Sequence, residues 1–235
     1  MAKIKMEILG AAANWSAPFK TKGIKKFTSC FFQTDAKFQI DAGNKWDKRK
    51  IDYLLITHLH QDHIGRIKTY PKTITYCLPS KSFLKIVPKG AKFIFLKKKT
   101  KIGQTKIEPF LVHHSTTSIT LGYKITYRKI SFIWLPDYFT PFDFSLFKNT
   151  DYYFLGASCF RKNILHHGYL TGQKSITNFL KDLKKRKLFP KRGIVYLIHL
   201  GLSMFPRDIK IKKLQSEFPN YKLEAVSDGQ KIVLK

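Results

Sequence analysis

The 235-residue sequence predicts a layered α/β fold. Three observations carry this. Short apolar or alternating runs of strand length recur along the chain, two stretches in the second half carry helical stripes, and no Pro-, Gly- or Ser-rich linker separates them. A chain of this length encloses one sizeable core, so residues 1–235 read as a single domain.

The elements follow in order. Ile4–Leu9, Ser29–Gln33 and Lys37–Asp41 are strand-like, with turn signals at Thr34-Asp35 and Ala42-Gly43. Ile51–Thr57 (IDYLLIT) is a short apolar run of the kind found in buried strands. Further strands are predicted at Ile74–Cys77, Lys92–Leu96, Thr105–Val112, Leu121–Tyr127 and Ile130–Leu135, the last two forming a hairpin around Arg128-Lys129. Asp151–Leu155 and Gly193–Ile198 again have the composition of buried strands. Between them, Gly172–Lys187 places Ile176, Phe179, Leu180 and Leu183 on one helical face and lysines on the other. Pro206–Phe218 is a second helix, with proline in its first turn and Ile209, Ile211, Leu214 and Phe218 as apolar positions. Lys222–Val226 and Lys231–Leu234 close the chain around Asp228-Gly229.

Composition narrows the function classes. Hydrophobic residues make up 43%, which excludes a disordered chain. No uncharged apolar run approaches the roughly 18–20 residues of a membrane span, and the charged N-terminal segment has no signal core. Cys30, Cys77 and Cys159 have no paired spacing, which points to a reducing compartment and a cytoplasmic protein; Cys159 reads as a small core residue. Lys plus Arg is 44 against 15 for Asp plus Glu, a net charge of +29. Such a field attracts phosphate-bearing partners, an anionic substrate or nucleic acid. The cations are mostly lysine and widely dispersed, however, so general solubility explains them as well. Any aromatics left exposed would serve a homodimer interface.

The chemistry concentrates in His58-x-His60-x-Asp62-His63, directly after a predicted strand. Imidazole nitrogens and a carboxylate together suit zinc, manganese or iron. Burying four such groups without metal would strand several costly polar atoms. A six-residue loop can turn its ligands toward two sides of one cavity and so serve two ions.

This motif after a hydrophobic strand resembles that of the metallo-β-lactamase superfamily, and the resemblance extends along the chain. Ile40-Asp41-Ala42-Gly43 looks like the family's Asp-Gly turn. His113-His114-Ser115 with Leu121-Gly122-Tyr123 resembles its His-Ser…Gly-Tyr segment, Phe132–Leu135 followed by Pro136-Asp137 its bridging aspartate, and Val195–His199 its last strand and histidine. The resemblance implies a four-layer αββα sandwich and a metal-dependent hydrolase. It implies two divalent ions, the first on His58, His60 and His114, the second on Asp62, His63 and His199, with Asp137 bridging. Ions about 3.5–4 Å apart hold a hydroxide between them and neutralise charge in a phosphoryl transition state. Asp41 is expected either to orient a ligand imidazole or simply to form the turn. His113 and His114 alternate in direction, so only one faces the metals; the His-Ser context selects His114.

His166-His167-Gly168-Tyr169-Leu170 before the helix is similar to the phosphodiesterase branch that contains tRNase Z and the cyclic phosphodiesterase of phosphonate utilisation. There, a histidine at this place protonates the leaving oxygen or stabilises the transition state, which selects His167, with His166 as the alternative. The bland reading is a surface histidine pair. The expected function is therefore a binuclear phosphodiesterase acting on a nucleotide-like or RNA substrate, with Asp62 and His167 as catalytic residues. Two rivals stand: hydrolysis of a carboxylic ester, thioester or lactone on the same metals, and a nucleic-acid-binding protein with a structural metal.

Overall fold

Alternating burial starts with the first strand, β1 (Ile4–Gly10), where Ile4, Met6 and Ile8 point inward and Lys5 outward. The computed structural model describes residues 2–13, 24–96, 98–114, 119–139, 143–165 and 172–235. After β1 come β2 (Ser29–Gln33), β3 (Lys37–Ile40), β4 (Tyr53–Leu55), the one-turn helix α1 (Gln61–Ile64), β5 (Thr75–Leu78) and β6 (Lys92–Phe95). The chain continues through β7 (Thr100–Ile102), β8 (Thr105–Val112), β9 (Thr120–Tyr127), β10 (Ile130–Leu135) and β11 (Tyr152–Gly156). A two-residue pairing of β12 (Ile164–Leu165) with β13 (Gly172–Gln173) precedes α2 (Ile176–Lys185). Then follow β14 (Ile194–Ile198), α3 (Arg207–Glu217), β15 (Lys222–Ala225) and β16 (Lys231–Leu234).

The strands form two seven-stranded sheets, ordered β16-β1-β2-β3-β4-β5-β6 and β15-β14-β11-β10-β9-β8-β7. In the first, β3 through β6 run parallel. In the second, β10, β11, β14 and β15 do. Parallel neighbours end at the same edge of a sheet, and loops beyond those carboxyl ends are where α/β folds build their sites. Asp41 follows β3 and His58 follows β4; Asp137 follows β10 and His199 follows β14.

The sheets face each other across one large apolar cluster, with the rings of Phe32 and Phe132 edge-on at 5.5 Å. Outside the second sheet, α2 buries Ile176, Phe179, Leu180 and Leu183, with Phe179 against Tyr138 at 4.3 Å. Its stripe forms as the sequence predicts, but the helix begins at Ile176 because Ser175 caps it by accepting from the Asn178 N–H. The second predicted helix forms as α3, in which only Leu214 is buried and Ile209 is 63% exposed. Outside the first sheet, the covering layer is thin: α1 and two 3₁₀ turns, Ile67–Thr69 and Lys81–Ile86, bury Ile64, Ile67 and Phe83 against Leu54, Ile56 and Tyr76. The arrangement is the expected αββα sandwich, with one helical layer reduced to turns.

Two differences from the sequence-based elements matter. The run Ile51–Thr57 is a strand only over Tyr53–Leu55. Beyond it Ile56 N still donates to the Cys77 carbonyl on β5, and the Thr57 carbonyl accepts from Leu121 N at 3.0 Å on β9 of the second sheet. β7 was not predicted, because its three residues lie in a lysine-rich stretch without apolar periodicity. Among the described residues, no helix is long and apolar enough to cross a membrane.

Candidate metal centre

The turn after β3 sets the geometry of everything beside it. Asp41 adopts the left-handed conformation (φ 62°), which costs a non-glycine residue on the order of 1–3 kcal/mol. Its fully buried carboxylate offsets that cost by accepting from Thr57 N at 2.8 Å and Thr57 Oγ1 at 2.9 Å, and it lies 2.7 Å from His63 Nδ1. Gly43, two residues on, is where the turn meets α1. A Cβ there would fall 1.8 Å from the Asp62 carbonyl oxygen, so only glycine lets the two backbones approach. Ala42 N donates to the His63 carbonyl and Arg66 N to the Ala42 carbonyl, locking the turn to the motif helix.

The motif divides its side chains between the end of β4 and α1. His58, on the strand extension, is fully buried and His60 lies toward solvent. The helical turn of α1, absent from the sequence-based expectation of a loop, carries Asp62 and His63 inward. Three other elements bring in the rest. His114 lies just past β8, buried, while its neighbour His113 is exposed and its backbone bridges to Phe139. Of the pair, His114 is the one that faces inward. Asp137 follows β10, where Gly156 leaves room: a Cβ at that glycine would sit 1.7 Å from the Pro136 carbonyl oxygen. His199 follows β14 with φ 51°, a second left-handed non-glycine residue at the same centre.

These side chains converge. His60 Nδ1 is 3.0 Å from His58 Nε2 and 3.2 Å from His114 Nε2. Asp62 Oδ2 is 3.6 Å from His63 Nε2 and 3.7 Å from His199 Nε2. Asp137 stands between the two groups. Its Oδ1 is 3.1 Å from His199 Nε2 and 3.7 Å from His114 Nε2, and its Oδ2 is 3.0 Å from His63 Nε2 and 4.0 Å from His58 Nε2. Three sets, His58/His60/His114, His58/His63/Asp137 and Asp62/His63/His199, each hold their ligand atoms within 4.8 Å of one another.

Such spacings fit metal ions. Ligand atoms bonded at about 2.0–2.1 Å in a tetrahedron lie about 3.3 Å apart. Without a cation, the packing of these nitrogens is unfavourable, and His63 Nε2, Asp137 Oδ2 and His199 Nδ1 are buried with no hydrogen-bond partner. Burial and the neighbouring His63 hold His58 well below the ordinary imidazole range; burial and His114 lower the pKa of His60. Both are thus kept neutral, the form that binds metal. Burial opposes charge on His63, but Asp62, Asp41 and Asp137 outweigh it and raise its pKa well above the usual value. Burial likewise disfavours ionised Asp137, yet His199, His114 and His63 hold its carboxyl well below the ordinary carboxylate range. A cation between these residues would supply the positive charge that His63 otherwise carries as a proton.

Gly122-Tyr123 has a structural part here. The buried Tyr123 hydroxyl donates to the Ile56 carbonyl and ties β9 to the segment leading into the motif. Asp228 accepts from the N–H groups of Ala11, Lys25 and Lys26, so the C-terminal Asp-Gly pair fastens the segments flanking the β1–β2 connection. Cys159 is buried and lies outside the metal groups, as expected of a core residue. His166, His167 and Ser115 lie outside the described residues. Thr57, which contacts Asp41 and both His58 and His63, had no role in the sequence analysis; its place immediately before the first histidine was the available signal.

Comparison with known proteins agrees with this architecture. Residues 32–119, which include Asp41, the histidine motif and His114, match the family model described as the metallo-beta-lactamase superfamily. Sequence comparison with curated proteins finds no match. Among solved structures, the metallo-beta-lactamase fold protein YhfI from Bacillus subtilis superposes with a TM-score of 0.77 at 16% identity, covering 98% of this chain and 99% of that one. A diphosphatase of the PhnP family gives 0.66 at 17% identity over 98% and 97% of the two chains. The short form of human tRNase Z gives 0.62 at 14% identity over 97% and 98%. The backbone superposition runs nearly end to end and the family match covers the ligand-rich segment, so the chain is a protein of the metallo-β-lactamase fold.

Proposed function

We propose that this protein is a binuclear metal-dependent hydrolase acting on a phosphodiester in a nucleotide-like or RNA substrate. The observation that carries the proposal is Asp137, buried between two imidazole groups with one oxygen toward His114 and His199 and the other toward His58 and His63. In this scheme His58, His60 and His114 would hold one divalent ion and Asp62, His63 and His199 the other, with Asp137 placed between the two groups. Zinc and manganese both suit this mixture of imidazole and carboxylate, and iron is a third choice. When bound, such a pair supplies Lewis acidity and a water nucleophile at neutral pH.

The chain's own residues do the rest. Asp41 aims His63, and Asp62 places its carboxylate beside His63 Nε2 and His199 Nε2. His167 is assigned the proton for the departing alkoxide, a task imidazole performs near neutral pH. The phosphodiester class is supported by the net charge of +29, which favours encounter with anionic substrates. It is also supported by the presence of a diphosphatase and a tRNase Z among proteins sharing the fold.

The test is hydrolysis of bis-p-nitrophenyl phosphate by purified protein with zinc or manganese, beside p-nitrophenyl acetate, a thioester and a lactone. Metal-dependent phosphodiester turnover is expected, abolished in His63→Ala, strongly reduced in His167→Ala and retained in His113→Ala. Two bound metals with turnover only of the carboxylic substrates would overturn the phosphodiesterase assignment in favour of the ester-hydrolase rival. Salt-sensitive RNA binding without any turnover would favour a binding protein.

A further inference from the structure

We propose that Thr57 is a positioning residue for both halves of the metal centre, acting on His58 directly and on His63 through Asp41; this rests on the metal assignment above. Its hydroxyl sits where the two halves meet. Thr57 Oγ1 is 2.9 Å from Asp41 Oδ2, 3.0 Å from Asp41 Oδ1, 3.0 Å from His58 Nδ1 and 3.4 Å from His63 Nδ1, all of them fully buried.

A hydroxyl has one proton and two lone pairs, and an ionised carboxylate only accepts. The Thr57 proton is therefore directed at Asp41. What remains on Oγ1 toward His58 is acceptor capacity, so His58 Nδ1 must carry its proton and donate. That leaves His58 Nε2 bare, and Nε2 is the atom that approaches His60 and Asp137. On the other side, His63 Nδ1 donates to Asp41 Oδ2 at 2.7 Å, which fixes one ring proton on Nδ1 and turns Nε2, the atom that would bind an ion, toward Asp62 and Asp137. One hydroxyl thus selects the metal-binding tautomer of His58 and buttresses the carboxylate that selects it in His63. Metal-ligating histidines ordinarily donate their other ring N–H to a carboxylate, a carbonyl or water; here a single Asp41–Thr57 pair serves a ligand of each proposed ion.

Thr57→Val isolates the hydroxyl. The backbone bonds, Thr57 N to Asp41 Oδ1 at 2.8 Å and Leu121 N to the Thr57 carbonyl at 3.0 Å, do not depend on the side chain. Zinc affinity is measured on metal-free wild type, Thr57→Val and Thr57→Ser by competition with a chromophoric chelator. Imidazole tautomers are read from histidine nitrogen-15 spectra of the metal-free wild type. Two zinc ions are expected in wild type, with both binding steps weakened about 10- to 100-fold in Thr57→Val and restored to within about threefold in Thr57→Ser. The wild-type spectrum is expected to show protonated Nδ1 and bare Nε2 in His58.

Unchanged affinity in Thr57→Val, a loss confined to one step, or a loss that serine does not repair would overturn the proposal. A wild-type His58 carrying its proton on Nε2 would overturn it even if the valine variant failed to fold. Wild type that takes up no zinc or manganese would instead sink the metal assignment itself, and this proposal with it.

Discussion

Asp41→Asn removes one charge and one acceptor from a site that cannot do without either. The native carboxylate faces three donors: Thr57 N, Thr57 Oγ1 and His63 Nδ1. Asparagine has one acceptor oxygen and a two-proton donor, so one of its ends must meet a donor head-on. If His63 keeps its proton on Nδ1, a charge-assisted bond of about 1.5–3 kcal/mol is lost and a buried donor is stranded at a further cost of about 1–3 kcal/mol. The sum, about 2.5–6 kcal/mol, is a large share of the roughly 5–15 kcal/mol that holds a domain folded. The alternative is for His63 to move its proton to Nε2 and accept from the new amide. That limits the loss of stability but aims an N–H at Asp62 and Asp137, where the metal assignment needs a lone pair. Either the fold or one metal site must give. Chemical denaturation of the metal-free protein and zinc stoichiometry by elemental analysis, on the same preparations, report the two losses separately. The expected result is a fall from two zinc ions to one, with destabilisation below the full sum. Two tightly held ions and unchanged stability in Asp41→Asn would refute the reasoning.

Two further predictions follow from the same framework. Gly43→Ala puts a methyl group 1.8 Å from the Asp62 carbonyl oxygen, so α1 must shift, with destabilisation of about 1–3 kcal/mol and weakened metal binding; a variant matching wild type in both denaturation and zinc titration would contradict the close approach. Asp35 is little buried, so the desolvation that would raise its pKa is outweighed by bonds from Gln104 N and Thr105 Oγ1, and its carboxyl lies below the usual 3.8. A depressed carboxylate adds stability above its unfolded pKa, and that stability disappears as the pH falls through 3.8 to the lower folded value. Asp35→Asn should therefore flatten the acid limb of a melting-temperature profile between about pH 5 and 3, and an identical limb in both proteins would rule the contribution out.

Much of the centre was legible in the linear chain because its chemistry is local. Four of the seven proposed ligands sit within six residues, and no apolar or turn-forming role explains that density. Asp137 and His199 were picked out by the resemblance to the metallo-β-lactamase pattern, and in the structure they lie just past the ends of β10 and β14. Apart from β7, β12 and β13, the strands were recognisable to within a few residues, since period-two burial and continuous apolar runs are written into residue order. Helix α3 shows the limit. Its apolar residues marked a helix, but only the packing shows that Leu214 is covered and Ile209 left in solvent.

By itself, then, the sequence determined the layered α/β class and singled out the histidines and carboxylates proposed to bind metal, because ligand chemistry and burial periodicity belong to side-chain types. What only the tertiary structure decided is how contacts remote in sequence divide the work. It separated His114 from His113 by facing one inward, placed Asp137 between two imidazole groups, and held Asp41 and His199 in left-handed backbone. It also put the Thr57 hydroxyl against Asp41, sixteen residues away, and against two imidazoles at once. Those relations depend on distances near 3 Å between atoms on separate strands, and such distances exist only once the two sheets have packed.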